Sequence, residues 1–183
     1  MLTIHFIFKF ILILVNRVKL YINGERISIG TQQDIPLNYN SRFNSAVNHG
    51  VGYSGNGSYA YYVDGYMAET NFVDGLSLDP SYFGETKNGV WIAKTPNVSD
   101  YGTNGFRLQF NADGLNESSG TVSSPTNIGD DSSGKNNHFS VSGIVASDCN
   151  MPDSPENNFA TINPLHFRVS NGTQVYSEGN LKY

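Results

Sequence analysis

The alternation of apolar and polar positions predicts a β-hairpin close to the start of the chain. In residues 17–22 every second side chain is apolar. Because successive side chains of a strand point to opposite faces, this pattern gives one buried and one solvent-facing side. Asn23-Gly24 follows at once and accepts the positive φ values of a two-residue hairpin turn. Asn171-Gly172, which also lies between apolar runs, predicts a second hairpin.

Short apolar or alternating runs continue along the chain, and turn residues separate them. Asp79-Pro80 is the clearest helical signal, since Asp79 can cap the first amides and Pro80 suits the first helical position. No apolar repeat of 3.6 residues persists, so the fold class predicted is all-β, as an antiparallel β-sandwich or jelly roll. The further strands predicted are 46–53, 59–63, 66–73, 90–92, 106–110, 139–141 and 144–146.

The apolar run from Phe6 to Val15 is too short for a bilayer span, which takes about 20 residues. A buried strand is the favoured interpretation, because Phe, Ile and Val suit a strand covered on both faces. A signal peptide or anchor stays as the alternative, although Lys9 interrupts the run and no small-residue cleavage site follows it.

The composition limits the classes of binding partner that we expect. Only 15% of the residues are charged, below the usual value of about 25%, and the formal net charge is −5. No segment gathers Lys and Arg, so neither nucleic acid nor an anionic membrane is expected as a partner. The single cysteine, Cys149, excludes an internal disulfide and carries no motif of a catalytic thiol.

A glycan-cleaving enzyme was the sharpest catalytic hypothesis. Glycoside hydrolases need two carboxylates that flank one sugar bond. The strongest predicted strand carries Glu69 alone, and the chain contains no Glu-x-Asp or Glu-x-Glu pair. The four histidines lie far apart, with no nucleophile motif nearby. The sequence therefore predicts no catalytic residues, and a polysaccharide-cleaving hydrolase is the less favoured alternative.

Two sets of residues are candidates for binding. Asp130, Asp131 and Asn136 offer oxygen atoms in one tight segment, which is the ligand chemistry of Ca²⁺. The favoured alternative there is a set of Asx turns, in which these side chains bond their own backbone. The second set flanks a Gly-rich turn and could stack on sugar rings, with ordinary cross-strand packing as the alternative: Tyr53, Tyr59, Tyr61 and Tyr62.

Several segments resemble the concanavalin A-like, or laminin G-like, part of phage tail-fibre and other virion structural proteins. The resemblance covers roughly residues 16–183 and rests on the order of several motifs. The segments are NRVKLYINGERI, DGYMAETNFVDGLSLDPSYFGE, TNGFRLQF, DDSSGKNNHFSVSGI and DSPENNFATINPL. Members of the family carry several strands before the first of these, so the resemblance implies an incomplete sandwich.

The resemblance also implies a domain organisation and a setting. It implies a virion or extracellular location, a homo-oligomer that is usually trimeric, sometimes a calcium ion at a loop edge, and recognition of a cell-surface polysaccharide. A purely structural fibre spacer is the alternative. Four regions are expected. Residues 1–15 form an apolar leader or a replaced edge strand, and residues 16–110 form the C-terminal portion of the sandwich. Residues 111–147 supply strands that close the sandwich or start a second one, and residues 148–183 form a linker with the start of a further β-domain and an irregular C-terminal extension.

Overall fold

The computed structural model describes residues 4–8, 18–28, 39, 45–55, 60–149, 167–170 and 173–176. These residues form small antiparallel sheets and 3-10 turns, and none of them lies in an α-helix. The prediction of an all-β chain is confirmed at this level. No helix among them is long and apolar enough to cross a bilayer.

Eleven strands are present in the described part of the chain, and they pair as β1-β2-β3, β4-β5, β6-β9, β7-β8 and β10-β11. In chain order they are β1 (Ile4–Phe8), β2 (Val18–Ile22), β3 (Glu25–Ile27), β4 (Tyr53–Gly55), β5 (Ala60–Tyr62), β6 (Thr70–Phe72), β7 (Gly84–Lys87), β8 (Val90–Ala93), β9 (Phe106–Leu108), β10 (Phe167–Ser170) and β11 (Thr173–Tyr176).

Asn-Gly turns produce the hairpins that the sequence predicts. Asn23 (φ 50°) and Gly24 (φ 79°) both have positive φ, as a turn of type I′ requires, and they join β2 to β3. Strands β10 and β11, which flank Asn171-Gly172 in the sequence, pair antiparallel, and the two turn residues lie outside the described residues. The apolar N-terminus contributes β1, which pairs with β2 along its whole length.

The core lies where β6 pairs with β9. Phe72 and Phe106 are partners in this pairing, and their ring centroids are 5.7 Å apart. Phe139 meets Phe106 edge to face at 4.7 Å. Leu108, which is 1% exposed, and Tyr101 are buried as well. Burial of aromatic rings in this geometry is a principal source of stability in a small core.

Trp91 on β8 connects two hairpins. Its ring occupies the space in which a Cβ at Gly24 or at Gly84 would lie. Gly24 belongs to the turn of the β2–β3 hairpin, and Gly84 begins β7 beside the Trp91 strand. The absence of a side chain at both glycines therefore lets one indole ring contact the β2–β3 turn and β7 together.

The predicted helical turn is confirmed. The Asp79 carboxylate accepts a hydrogen bond from the Ser81 amide at 2.9 Å, and Pro80 is the first residue of a 3-10 turn over Pro80–Tyr82. Phe83 caps this turn at its C-terminal end.

Several predicted strands are wrong. Residues 46–52 form bends and irregular backbone, and the strand begins only at Tyr53. Of 66–73, only Thr70–Phe72 is a strand. Phe110 adopts a left-handed φ of 52°, which ends β9 early. Segments 139–141 and 144–146 are not strands. The Phe139 amide donates a hydrogen bond to the Gly129 carbonyl, and a 3-10 turn occupies Ala146–Asp148.

The segment 111–147, expected to supply further strands, contributes two isolated bridges, Leu108 to Asp131 and Gly114 to Asn127. It packs on the β6–β9 core, since Phe139 and Asp131 both contact β9. The predicted linker from residue 148, apart from its first two residues, lies outside the described residues.

Candidate functional site

The β4–β5 hairpin presents a pair of tyrosines on one face. Tyr53 lies directly opposite Tyr62 in the strand register, and their ring centroids are 5.4 Å apart with the planes tilted by 41°. Tyr61 pairs with Ser54, one residue along, so its side chain belongs to the opposite face. We call Tyr53 and Tyr62 the tyrosine pair.

The tyrosine pair is exposed as well as packed. Tyr53 is 44% exposed and Tyr62 is 75% exposed, while Tyr61 on the other face is 68% exposed. A cross-strand aromatic pair in a core would lose most of this surface. The cross-strand packing considered for these residues is therefore present at Tyr53 and Tyr62, and both rings still offer surface to solvent. Sugar binding stays a prediction. Tyr59 lies outside the described residues.

Glycines bring the backbone close to the tyrosine pair. A Cβ on Gly50 would lie 3.0 Å from the Tyr53 Cδ1, so the chain before β4 passes next to the Tyr53 ring. Gly52 has a φ of 74°, and its carbonyl accepts a hydrogen bond from the Val63 amide at 2.9 Å. This hydrogen bond adds one backbone contact to the β4–β5 pairing, next to the paired residues Tyr53 and Tyr62.

Both oxygens of the Asp131 carboxylate accept two hydrogen bonds each. Its side chain is 0% exposed. Oδ1 accepts from the amides of Arg107 (2.8 Å) and Ser133 (2.9 Å), and Oδ2 accepts from the Ser133 hydroxyl (2.9 Å) and the Asn137 amide (2.9 Å). The bond from the Ser133 amide is an Asx turn. A buried carboxylate needs such donors, because its charge is costly without them.

Asp130 holds the segment that precedes it. Its Oδ2 accepts from the amides of Thr126 (2.8 Å) and Asn127 (2.9 Å). Burial acts to raise the pKa of the Asp130 carboxyl, but hydrogen bonds from Ser118 and from these two residues outweigh it and lower the pKa below the usual value.

The hydrogen bonds around Asp131 are unfavourable for the predicted calcium ion. Four hydrogen-bond donors fill the acceptor positions of Asp131. Asn136 lies in the same loop with a left-handed φ of 63°. Across the described ranges, no three His, Cys, Asp or Glu side chains are grouped to hold a metal ion. These residues do not fit a site with Asp131 as a ligand, and calcium stays a prediction.

His138 closes the same loop. The Asp131 amide donates to its Nδ1 at 3.0 Å, and its Nε2 lies 2.8 Å from the Gly120 carbonyl oxygen. An amide can only donate and a carbonyl can only accept, so this arrangement suits the neutral ring with its proton on Nε2. His138 therefore connects the 120 region to the buried Asp131 turn.

Glu69, the residue weighed for hydrolysis, takes part in a polar cluster on the β6–β9 sheet. Its Oε1 accepts from Arg107 Nε at 2.7 Å and from Asn71 Nδ2 at 3.0 Å. The Tyr101 hydroxyl donates to Asn71 Oδ1 at 2.8 Å. These contacts place the Glu69 carboxylate in an ion pair with Arg107 and in a hydrogen bond with Asn71.

The sequence predicted Asx turns around Asp131, and the bond from the Ser133 amide is one, but it did not predict the ion pair between Arg107 and Glu69. The Arg107 side chain reaches Glu69 only because β6 pairs with β9, and no local pattern encodes that pairing. One missed feature had a clear local signal: Asn88-Gly89 joins β7 to β8 with φ values of 53° and 80°, as Asn23-Gly24 does at its own hairpin.

Comparisons with protein-family models, with curated proteins and with solved structures found no match to this chain. The resemblance to tail-fibre proteins therefore rests on the quoted segments, and the functional argument rests on the site itself.

Proposed function

We propose that the chain is a non-catalytic module of a virion fibre that recognises a cell-surface glycan through the tyrosine pair. The observation that carries the proposal is the pairing of two exposed rings, 5.4 Å apart, on one face of a hairpin. Tyrosine gives a large, rigid contact surface with a hydroxyl at its tip, and it loses little conformational entropy on binding. Such a surface suits a sugar ring, which has apolar faces and a polar rim.

The setting follows from the resemblance. The fold proposed is a concanavalin A-like sandwich, and the small antiparallel sheets around the Phe72–Phe106 core are compatible with it. The location proposed is the tail fibre of a virion, or an extracellular surface, and the chain is proposed to act as a homotrimer. Glu69 has no proposed catalytic role, because its Oε1 already accepts hydrogen bonds from Arg107 and Asn71.

A glycan-binding panel tests the proposal with a matched pair of variants. The double variant Tyr53→Ala/Tyr62→Ala removes both rings of the pair, and Tyr61→Ala removes an exposed ring from the opposite face. We expect the wild type to bind at least one polysaccharide saturably and the double variant to lose about tenfold in affinity or more, since one ring contact is typically worth about 1 kcal/mol. Tyr61→Ala should keep the wild-type affinity.

Two results would overturn the proposal. Failure of the wild-type protein, shown to be folded by a cooperative melt, to bind any member of a broad panel would favour a structural spacer. Release of reducing ends from a polysaccharide would show an enzyme instead, and loss of that release in Glu69→Gln would assign the role to Glu69.

A further inference from the structure

The charge of the segment around the tyrosine pair limits the class of glycan. Residues 43–86, which include β4, β5 and β6, contain no Lys and no Arg. The same 44 residues contain five carboxylates: Asp64, Glu69, Asp74, Asp79 and Glu85. Asp64 lies two residues after Tyr62 and is exposed.

The described cations lie on other elements. Arg107 is in an ion pair with Glu69 at 2.7 Å, and Lys135 is in one with Asp100 at 2.7 Å. Lys19 and Arg26 belong to the β2–β3 hairpin. Lys87 is the last residue of β7, Lys94 follows β8, and Arg168 belongs to β10.

Proteins hold carboxylate, sulfate and phosphate groups with Arg, Lys or clustered amides. The segment of the tyrosine pair supplies no cation, and Asp64 would repel an anion placed beside Tyr62. The polar groups that the hairpin does offer are uncharged, namely the phenol hydroxyls and Ser54. A phenol hydroxyl both donates and accepts, as a sugar hydroxyl does.

We infer that the tyrosine pair binds uncharged polysaccharides and discriminates against anionic ones. The inference rests on the proposed function, and it adds the ligand class. Stacking and hydroxyl contacts supply the attraction, and the Asp64 carboxylate, in a segment without Lys or Arg, supplies the discrimination.

Matched polysaccharides that differ only in charge provide the probes. Each neutral polymer is paired with an anionic derivative of the same backbone: hydroxyethyl cellulose with carboxymethyl cellulose, dextran with dextran sulfate, and mannan with sulfated mannan. Affinity is measured for the wild-type chain, for Tyr53→Ala/Tyr62→Ala and for Asp64→Lys. We expect at least one neutral polymer to bind more tightly than its anionic partner, with binding that depends on both rings and barely changes with salt.

The variant Asp64→Lys tests the electrostatic contribution to the discrimination between neutral and anionic polymers. It should raise affinity for the anionic partner by up to about fivefold, the range of an exposed ion pair, and leave affinity for the neutral polymer unchanged. Ring-dependent binding in which the anionic partner equals or exceeds the neutral polymer would overturn the inference and leave the proposed function standing. The absence of ring-dependent binding to every polymer would overturn both.

Discussion

At the scale of single residues, Asp131 shows how a charged group can belong to a core. A carboxylate without partners would not be stable at 0% exposure, because desolvation disfavours its charge. Here three backbone amides and one hydroxyl donate to it, and these amides belong to Arg107, Ser133 and Asn137. The side chain therefore connects β9 to the loop that packs on it, and truncation would leave several buried donors unsatisfied.

The variant Asp131→Ala should lower the free energy of unfolding by at least about 2 kcal/mol, because each buried donor that loses its acceptor costs roughly 1–3 kcal/mol. Urea unfolding followed by Trp91 fluorescence measures the change. Asp100→Ala is the control, since Asp100 also forms an Asx-type bond, to the Gly102 amide, but is exposed. A loss no greater than that of the control would show that Asp131 is dispensable.

Tyr101 gives a prediction at alkaline pH. Burial, with smaller effects from nearby charges, raises the pKa of Tyr101 to about 12 from an ordinary value of 10.0. The folded state therefore keeps the phenol proton more tightly than the unfolded state does. The resulting stability is fully present below pH 10 and is lost as the pH rises toward 12.

We expect one of the 11 tyrosines to ionise later than the rest in a spectroscopic titration of the folded protein. Tyr101→Phe should remove this late step and should flatten the loss of stability with pH in the same interval. Retention of the late step in Tyr101→Phe would assign it to another tyrosine.

At the scale of elements, the packing of Trp91 depends both on local turn chemistry and on contacts between distant segments. The Asn23-Gly24 turn forms for local reasons, because Asn and Gly accept positive φ. The same Gly24 also leaves room for the indole ring, as Gly84 does on β7. One ring thus makes the β2–β3 turn and the β7–β8 hairpin depend on each other.

Gly84→Ala should destabilise the fold by about 1–3 kcal/mol, because the added Cβ would overlap the Trp91 ring and lie 2.7 Å from the Ile92 carbonyl oxygen. Thermal unfolding and the Trp91 emission maximum measure the change together. Gly65→Ala is the matched control, since its Cβ would meet only a Val63 methyl at 4.0 Å. The control should change stability by less than about 1 kcal/mol. Equal effects at both glycines would contradict the packing of Trp91 described here.

At the scale of the whole molecule, the proposed trimer predicts a concentration-dependent species of three times the 20.1 kDa chain mass in sedimentation. Tyr53→Ala/Tyr62→Ala should leave that mass unchanged if the tyrosine pair binds glycan. A monomer at all concentrations would contradict the trimer. Dissociation of the trimer by the double variant would instead assign the pair to contacts between copies of the chain.

The sequence predicted the parts of the fold that local chemistry controls. The all-β class, the hairpins at Asn23-Gly24 and Asn171-Gly172 and the Asp79-capped turn are present. Strand limits were less predictable, since Phe110 and residues 46–52 have apolar strand patterns and are not strands. Apolar alternation indicates what a segment could bury, but backbone pairing partners decide whether it is a strand.

The sequence by itself determined which short segments turn, which are uncharged and which carry aromatic rings, because these properties belong to residues and their nearest neighbours. It therefore indicated Tyr53, Tyr59, Tyr61 and Tyr62 as binding candidates, and it determined that residues 43–86 contain no Lys and no Arg. Only the tertiary structure decided that Tyr53 and Tyr62 share a face and that Asp131 is an acceptor of buried amides. Those facts depend on strand register and on contacts between residues far apart in the chain, which no local pattern specifies.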